Sequence, residues 1–221
     1  MCGRFMFKPT DSPEIQRIYQ LALDNGYQLK SGEIFPTDQT ALIVAGKKQV
    51  RIVQMPWGFP GFKEKQIIIN ARTETIMNKE IFADAFIKYR CVYPTSGFFE
   101  WTKDKQKIYF NYQEKPSALY IAGFYNFFDG QAKSILITTV PNASVAPIHN
   151  RMPLILKKEE INRWIYDSNF AKNLLAKQMP LLTAKKFNRI NLKNTEDMDF
   201  KYLKKSAVST NDRFLIEDEN I

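Results

Sequence analysis

The chain has 221 residues with 44% hydrophobic and 25% charged side chains, a balance that allows one soluble domain with a sizeable core. Lys and Arg number 32 against 23 Asp and Glu, and the resulting charge of +9 favours a polyanionic partner. No apolar run approaches the ~18 residues of a membrane span and no signal-peptide core is present, so a cytoplasmic location is expected. Two cysteines and one histidine make neither a disulfide framework nor a zinc site, and no metal or other cofactor is expected.

Asp11-Ser12-Pro13 opens the first predicted helix, with a capping residue followed by proline at the first helical position. Ile15, Ile18, Tyr19 and Ala22 follow at helical spacing, and Gly26 closes it. Ala41 to Ala45, Val50 to Met55 and the β-branched Ile67-Ile68-Ile69 read as strands. Asn78 is expected to cap a helix to Tyr89, with Ile81, Phe82, Ala85 and Phe86 inward. Strands then come in series at Cys91 to Tyr93, Phe98 to Trp101, Ile108 to Tyr112, Leu119 to Phe124 and Ile135 to Val140, with Asp129-Gly130 turning between the last two. Leu154 to Leu156 is a further short strand. Glu159 to Tyr166 and Ala171 to Lys177 read as helices, the second stopped by Pro180. The tail from Thr195 is polar, with a short strand expected at Phe214 to Ile216. No repeat, long linker or Gly-rich phosphate loop interrupts this order. Strands dominate the middle and helices the flanks. The fold predicted is α+β, one domain over residues 1–221, built on a mostly antiparallel sheet or barrel.

Four short segments are unusually polar for their apolar surroundings: Cys2-Gly3-Arg4, Asn70-Ala71-Arg72-Thr73-Glu74, Gly97-Phe98-Phe99-Glu100-Trp101 and Ile148-His149-Asn150-Arg151-Met152. Cysteine is small enough for Met1 to be clipped before it, which would put an α-amine and a thiol on one residue. An α-amine titrates near ~8 and a lysine near ~10.4, so the terminal amine is the better nucleophile at neutral pH. A 1,2-aminothiol captures an aldehyde, first as an imine and then as a thiazolidine. The competing reading is a terminal residue without a role.

On a strand, Glu100 shares a face with Phe98, which would desolvate the carboxylate and raise its pKa. Solvent exposure at a sheet edge is the alternative. His149 lies in a proline-bracketed loop and, as the side chain that ordinarily titrates near neutral pH, suits proton transfer, or is an exposed loop histidine without a role. Arg4, Arg72 and Arg151 could converge on phosphate, or could each sit in a surface ion pair. Trp57 could stack on an unpaired base or belong to the core. Cys91 opens an apolar strand and reads as buried and inert.

Together these segments, with Trp57-Gly58, Ala122-Gly123-Phe124 and Met152-Pro153, resemble the SRAP family of SOS-response-associated, abasic-site-processing proteins. The motifs keep the family's order across residues 2 to about 156, and Val208-Ser209-Thr210-Asn211 resembles its C-terminal segment. The resemblance implies a barrel-like β core with flanking helices, binding of single-stranded DNA and a covalent thiazolidine link to abasic sites. It makes Cys2 the nucleophile, assisted by Asn70, Glu100 and His149, and assigns DNA contacts to Arg4, Trp57, Arg72 and Arg151. It also implies a monomer acting on damaged DNA at the nucleoid, and allows a peptidase activity limited to Met1. Three positions depart from the family pattern: Asn150 for its usual Asp, Phe99 for Tyr, and Pro60-Gly61-Phe62 for Pro-x-Trp. Two other function classes remain open on the residues, an N-terminal-cysteine hydrolase (peptidase or amidotransferase) and a non-catalytic single-strand binding module.

Overall fold

Short apolar runs, continuously buried in the central strands, build two main sheets in the computed structural model, which describes residues 2–112 and 117–187. In chain order the first strands are β1 (Phe5–Phe7), β2 (Gly32–Ile34), β3 (Gln39–Ala45), β4 (Val50–Pro56), β5 (Phe59–Pro60), β6 (Ile67–Ile68) and β7 (Asn70–Arg72). They are followed by β8 (Arg90–Thr95), β9 (Gly97–Trp101), β10 (Lys107–Asn111), β11 (Leu119–Phe128), β12 (Gln131–Thr139), β13 (Met152–Pro153), β14 (Ile155–Leu156) and β15 (Thr183–Lys186). The helices are α1 (Pro13–Asp24), α2 (Glu80–Lys88), α3 (Ile161–Tyr166) and α4 (Ser168–Leu174).

The larger sheet runs β13-β12-β11-β8-β3-β4, with β14 also paired to β11 and β7 added parallel to β12. The smaller runs β15-β10-β9-β1-β2, and β5 with β6 makes a separate hairpin. The fold is therefore α+β and mainly antiparallel, and its sheets are barrel-like only loosely, because neither closes on itself among the described residues. No helix among these residues is long and apolar enough to cross a membrane.

The chain changes sheets between β8 and β9, at Ser96-Gly97. A Cβ at Gly97 would lie 2.4 Å from the Phe110 carbonyl oxygen and 2.6 Å from Tyr109 Cζ, so only glycine lets the two backbones approach. The core fills the space between the sheets. Phe5 of β1 meets Trp57 at 5.3 Å and Tyr93 of β8 at 5.9 Å between ring centroids, and all three rings are fully buried. Arg90 is buried as well. Its guanidinium donates to the Phe86 and Ile87 carbonyls at the end of α2 and to Trp164 and Ile165 at the end of α3, so one cation caps two helix C-termini.

Most predicted elements are present, with shifted ends. Ser12 caps α1 by accepting the Ile15 N–H at 3.2 Å. Asn78, however, caps nothing: it ends a one-turn 3₁₀ helix anchored by buried Ile76, and α2 begins after Lys79. The expected strand at Ile67–Ile69 shortens to β6, and residues 70–72, to which no element was assigned, form β7. Strands β1, β2, β5, β7, β13 and β15 had no sequence counterpart. Phe214–Ile216 and Val208–Asn211 lie outside the described residues.

Candidate active site

Cys2 sits just ahead of β1 and has no exposed surface. Strand β1 pairs with β9 through Phe5–Phe98 and Met6–Gly97, and the Phe99 N–H donates to the Arg4 carbonyl at 2.9 Å. That antiparallel register carries the chain start alongside Glu100. The Glu100 side chain projects on the same face as Phe98 and opposite Ile108, into apolar surroundings, and is 2% exposed. Burial pushes its pKa up to about 7, against an opposing pull from the terminal ammonium group. Burial, reinforced by the Glu100 charge, also pushes the Cys2 thiol up. Its Sγ–H donates to the Arg4 carbonyl at 3.6 Å. At neutral pH the site therefore holds a thiol, with a carboxyl group poised between its two forms.

Asn70 comes from the other sheet. Parallel pairing of β7 with β12 sets Asn70 opposite Leu136 and turns its amide inward, where Nδ2 donates to the Cys2 carbonyl at 2.9 Å. Trp57 holds this approach in place: its indole N–H donates to the Ile69 carbonyl at 2.9 Å. Being fully buried with one ring contact to Phe5, Trp57 presents no face to a base, which corrects the stacking role expected from sequence. Asn70 Oδ1 and Glu100 Oε1 are both buried and accept no hydrogen bond among the described residues. A buried acceptor without a donor costs about 1–3 kcal/mol, so this pair is suited to a positively charged donor.

His149 closes the constellation. Its Nε2 lies 3.8 Å from Glu100 Oε2. The loop carrying it is built by Asn142, whose side chain accepts the Ser144 N–H and donates to the Met179 and Pro180 carbonyls. A turn in which Val145 accepts both the Ile148 and His149 N–H groups follows. His149 Nδ1 is flanked by the Arg151 N–H at 3.1 Å and the Arg151 carbonyl at 3.2 Å. Burial, then the terminal ammonium, holds the imidazole pKa below its ordinary value, and the Arg151 carbonyl partly offsets this.

The three arginines differ in kind. Arg4 pairs with Glu33 at 3.2 Å and lies 3.6 Å above the Phe35 ring. Arg151, only 9% exposed, makes a two-pronged pair with Glu74 at 2.6 and 2.9 Å. Arg72 is exposed, and its guanidinium has no hydrogen bond or ion pair among the described residues. It follows Asn70 by two positions on β7, and so projects from the same side about 6.6 Å further along. Cys91 is fully buried with its thiol pKa pushed up by burial, as its apolar strand implied.

The model of the SOS response associated peptidase (SRAP) family matches residues 1–194. The chain belongs to the SRAP family. Among SRAP relatives, the abasic site processing protein YoqW of Bacillus subtilis is 32% identical over 183 residues, covering 76% of this chain and 82% of that one. YoaM of the same organism, another abasic site processing protein, is 30% identical over 189 residues, covering 79% and 83%. A solved structure from Bordetella bronchiseptica shares the fold with a TM-score of 0.70 at 18% identity, covering 85% of this chain and all of that one. One from Bacteroides thetaiotaomicron gives 0.66 at 22%, covering 87% and 94%.

Within this SRAP fold, the structure draws Cys2, Asn70, Glu100 and His149 together from four distant segments. It also exposes a residue that sequence reasoning noted only as a departure. Phe62, in the hairpin between β5 and β6, is 85% exposed, and Lys63 and Lys65 follow it. A cavity of about 730 Å³ is lined by this hairpin together with Thr37, Gln131 and Lys133. The return strand of the hairpin leads directly into Asn70. An aromatic side chain followed by alternating lysines was the available signal.

Proposed function

We propose that this chain processes abasic sites in single-stranded DNA by capturing them covalently on Cys2, once Met1 has been removed. The observation that carries the reading is the enclosure of a cysteine at the chain start by a buried amide, a buried carboxyl group near its midpoint of titration and the one histidine of the chain. Relatives named abasic site processing proteins support the substrate.

The opened abasic sugar presents an aldehyde. The Cys2 α-amine adds to its carbon to give a carbinolamine, which loses water to form an imine. The thiol then adds to the imine carbon, its proton passes to the site, and the ring nitrogen gains one. The sum is aldehyde plus aminothiol giving thiazolidine plus water, without an oxidant. Amine precedes sulfur because the buried thiol resists ionisation. Glu100 in its acid form supports loss of water, and in its carboxylate form it takes the thiol proton. The unpartnered oxygens of Glu100 and Asn70 suit the ammonium freed by loss of Met1. His149 moves the proton between sugar oxygens when the ring opens. Arg72 and the lysines around Phe62 hold the strand, and Phe62 stacks a base. Arg4 and Arg151 reach phosphate only by sharing or leaving their carboxylate partners.

The test is incubation with a single-stranded oligonucleotide bearing one abasic site, resolved on a denaturing gel, beside intact-mass measurement of the protein. A heat-stable adduct that requires Cys2 and appears only in protein lacking Met1 is expected. An adduct that survives Cys2→Ala, or none from protein of the processed mass, overturns the reading. A protein that binds the oligonucleotide without linking to it is a single-strand binding module.

A further inference from the structure

His149 is held from behind by a chain of contacts that contains no reacting group. Glu74 lies just beyond β7 and its carboxylate is half exposed. Both its oxygens take hydrogen bonds from Arg151, at 2.6 and 2.9 Å, and this pairing holds the Glu74 carboxyl well below its ordinary range, at about 2. The same guanidinium donates to the Thr138 carbonyl at 2.6 Å. Thr138 also accepts the Thr73 N–H at 2.9 Å, so β7, β12 and the loop bearing His149 meet at one carbonyl. Strand β13 begins at the next residue, Met152, paired to Thr139. The backbone of Arg151 is thereby fixed from its side chain and from its C-terminal neighbour.

That backbone faces the imidazole. An amide N–H only donates, so the Arg151 nitrogen at 3.1 Å favours a neutral ring with its lone pair on Nδ1, over the tautomer in which Nδ1–H donates to the Arg151 carbonyl at 3.2 Å. The proton of the neutral ring is then on Nε2, the nitrogen that faces Glu100 at 3.8 Å. When the ring takes a second proton, Nδ1–H donates instead to the Arg151 carbonyl at 3.2 Å. One residue thus serves both protonation states with little movement.

We propose that Glu74 is a positioning residue: by clamping Arg151 it sets the tautomer of His149, with the proton on Nε2 toward Glu100. The consequence for crosslinking rests on the function proposed above, but the tautomer itself does not. Because the chain has one histidine, ring-¹⁵N labelling gives the signals of His149 alone. In the unmodified protein above the ring pKa, the neutral ring should show a protonated Nε2 and an unprotonated Nδ1. In Glu74→Ala the preference should fall about fivefold, the equivalent of roughly one hydrogen bond. Glu74→Gln, which keeps shape and loses charge, should fall part of the way, and it decides the matter if the alanine variant does not fold. Glu74→Asp, which restores the carboxylate, should recover much of the preference. The single-turnover rate of adduct formation should fall in the same order, and affinity for an undamaged single strand should change less than the rate. An unaltered tautomer ratio in a folded Glu74→Ala or Glu74→Gln protein overturns the proposal. A tautomer shift with no abasic adduct from any protein leaves the clamp standing and refutes the crosslinking reading instead.

Discussion

Replacing Glu100 with glutamine should change how stability depends on pH, in a direction fixed by the carboxyl group's surroundings. In the unfolded chain Glu100 titrates near its ordinary 4.5, and in the fold it titrates near 7 because it is buried beside Phe98. Below the lower value both states hold the proton and the group has no effect on stability. Between them the unfolded chain releases its proton while the folded one keeps it, so stability falls as pH rises and levels off above about 7. The interval corresponds to about 3 kcal/mol, and a residue only 2% exposed is little screened by solvent. His149 works in the opposite sense. Its ring pKa is lowered in the fold, so folding is favoured as pH rises towards the ordinary histidine value of 6.5. Subtracting the Glu100→Gln curve from that of the unmodified protein removes most of the histidine contribution. Urea denaturation of both proteins across pH 5 to ~8 should show their difference moving by about 3 kcal/mol, with glutamine increasingly favoured at the alkaline end. In thermal scans this corresponds to roughly 6–12 °C. If the difference stays flat, the buried carboxylate is compensated by its surroundings and burial does not control its proton.

Arg72→Ala should leave the thermal midpoint unchanged and flatten the salt dependence of single-strand affinity by a slope of about 0.7, as expected for one phosphate contact. A fluorescence titration at several salt concentrations measures it, and sequence-selective loss would argue for base readout instead. Phe62→Ala and Trp57→Ala should separate binding from packing. The first should weaken single-strand binding by about 1–3 kcal/mol with stability within ~0.5 kcal/mol of the parent, and the second should destabilise the fold by about 3–5 kcal/mol. Paired binding and denaturation curves distinguish them, and a destabilised Phe62→Ala would show that the ring packs against the protein.

Cys2 and the three residues around its thiol were legible because each stands in a short polar segment within an apolar run, and period-two alternation already placed Glu100 on the Phe98 face. Their mutual distances were not legible. Asn70 reaches Cys2 through β7, a three-residue strand too short to display periodicity, paired in parallel with β12 some 66 positions away. The arginines show the same limit. Sequence proximity grouped Arg4, Arg72 and Arg151 as equivalent cations, but Glu33 and Glu74 sequester two of them across separations of 29 and 77 residues, and only the fold sets those pairs. Trp57 was ambiguous because a buried indole and a base-stacking one have the same local signature. Its N–H found the Ile69 carbonyl inside, and the nearby exposed aromatic is Phe62, five positions on. A motif therefore identifies the groups that perform chemistry, while long-range pairing decides which charges remain free to meet a ligand. On the function proposed above, Arg72 is the arginine that would carry the phosphate contact, and Arg151, paired with Glu74, the one that would hold His149.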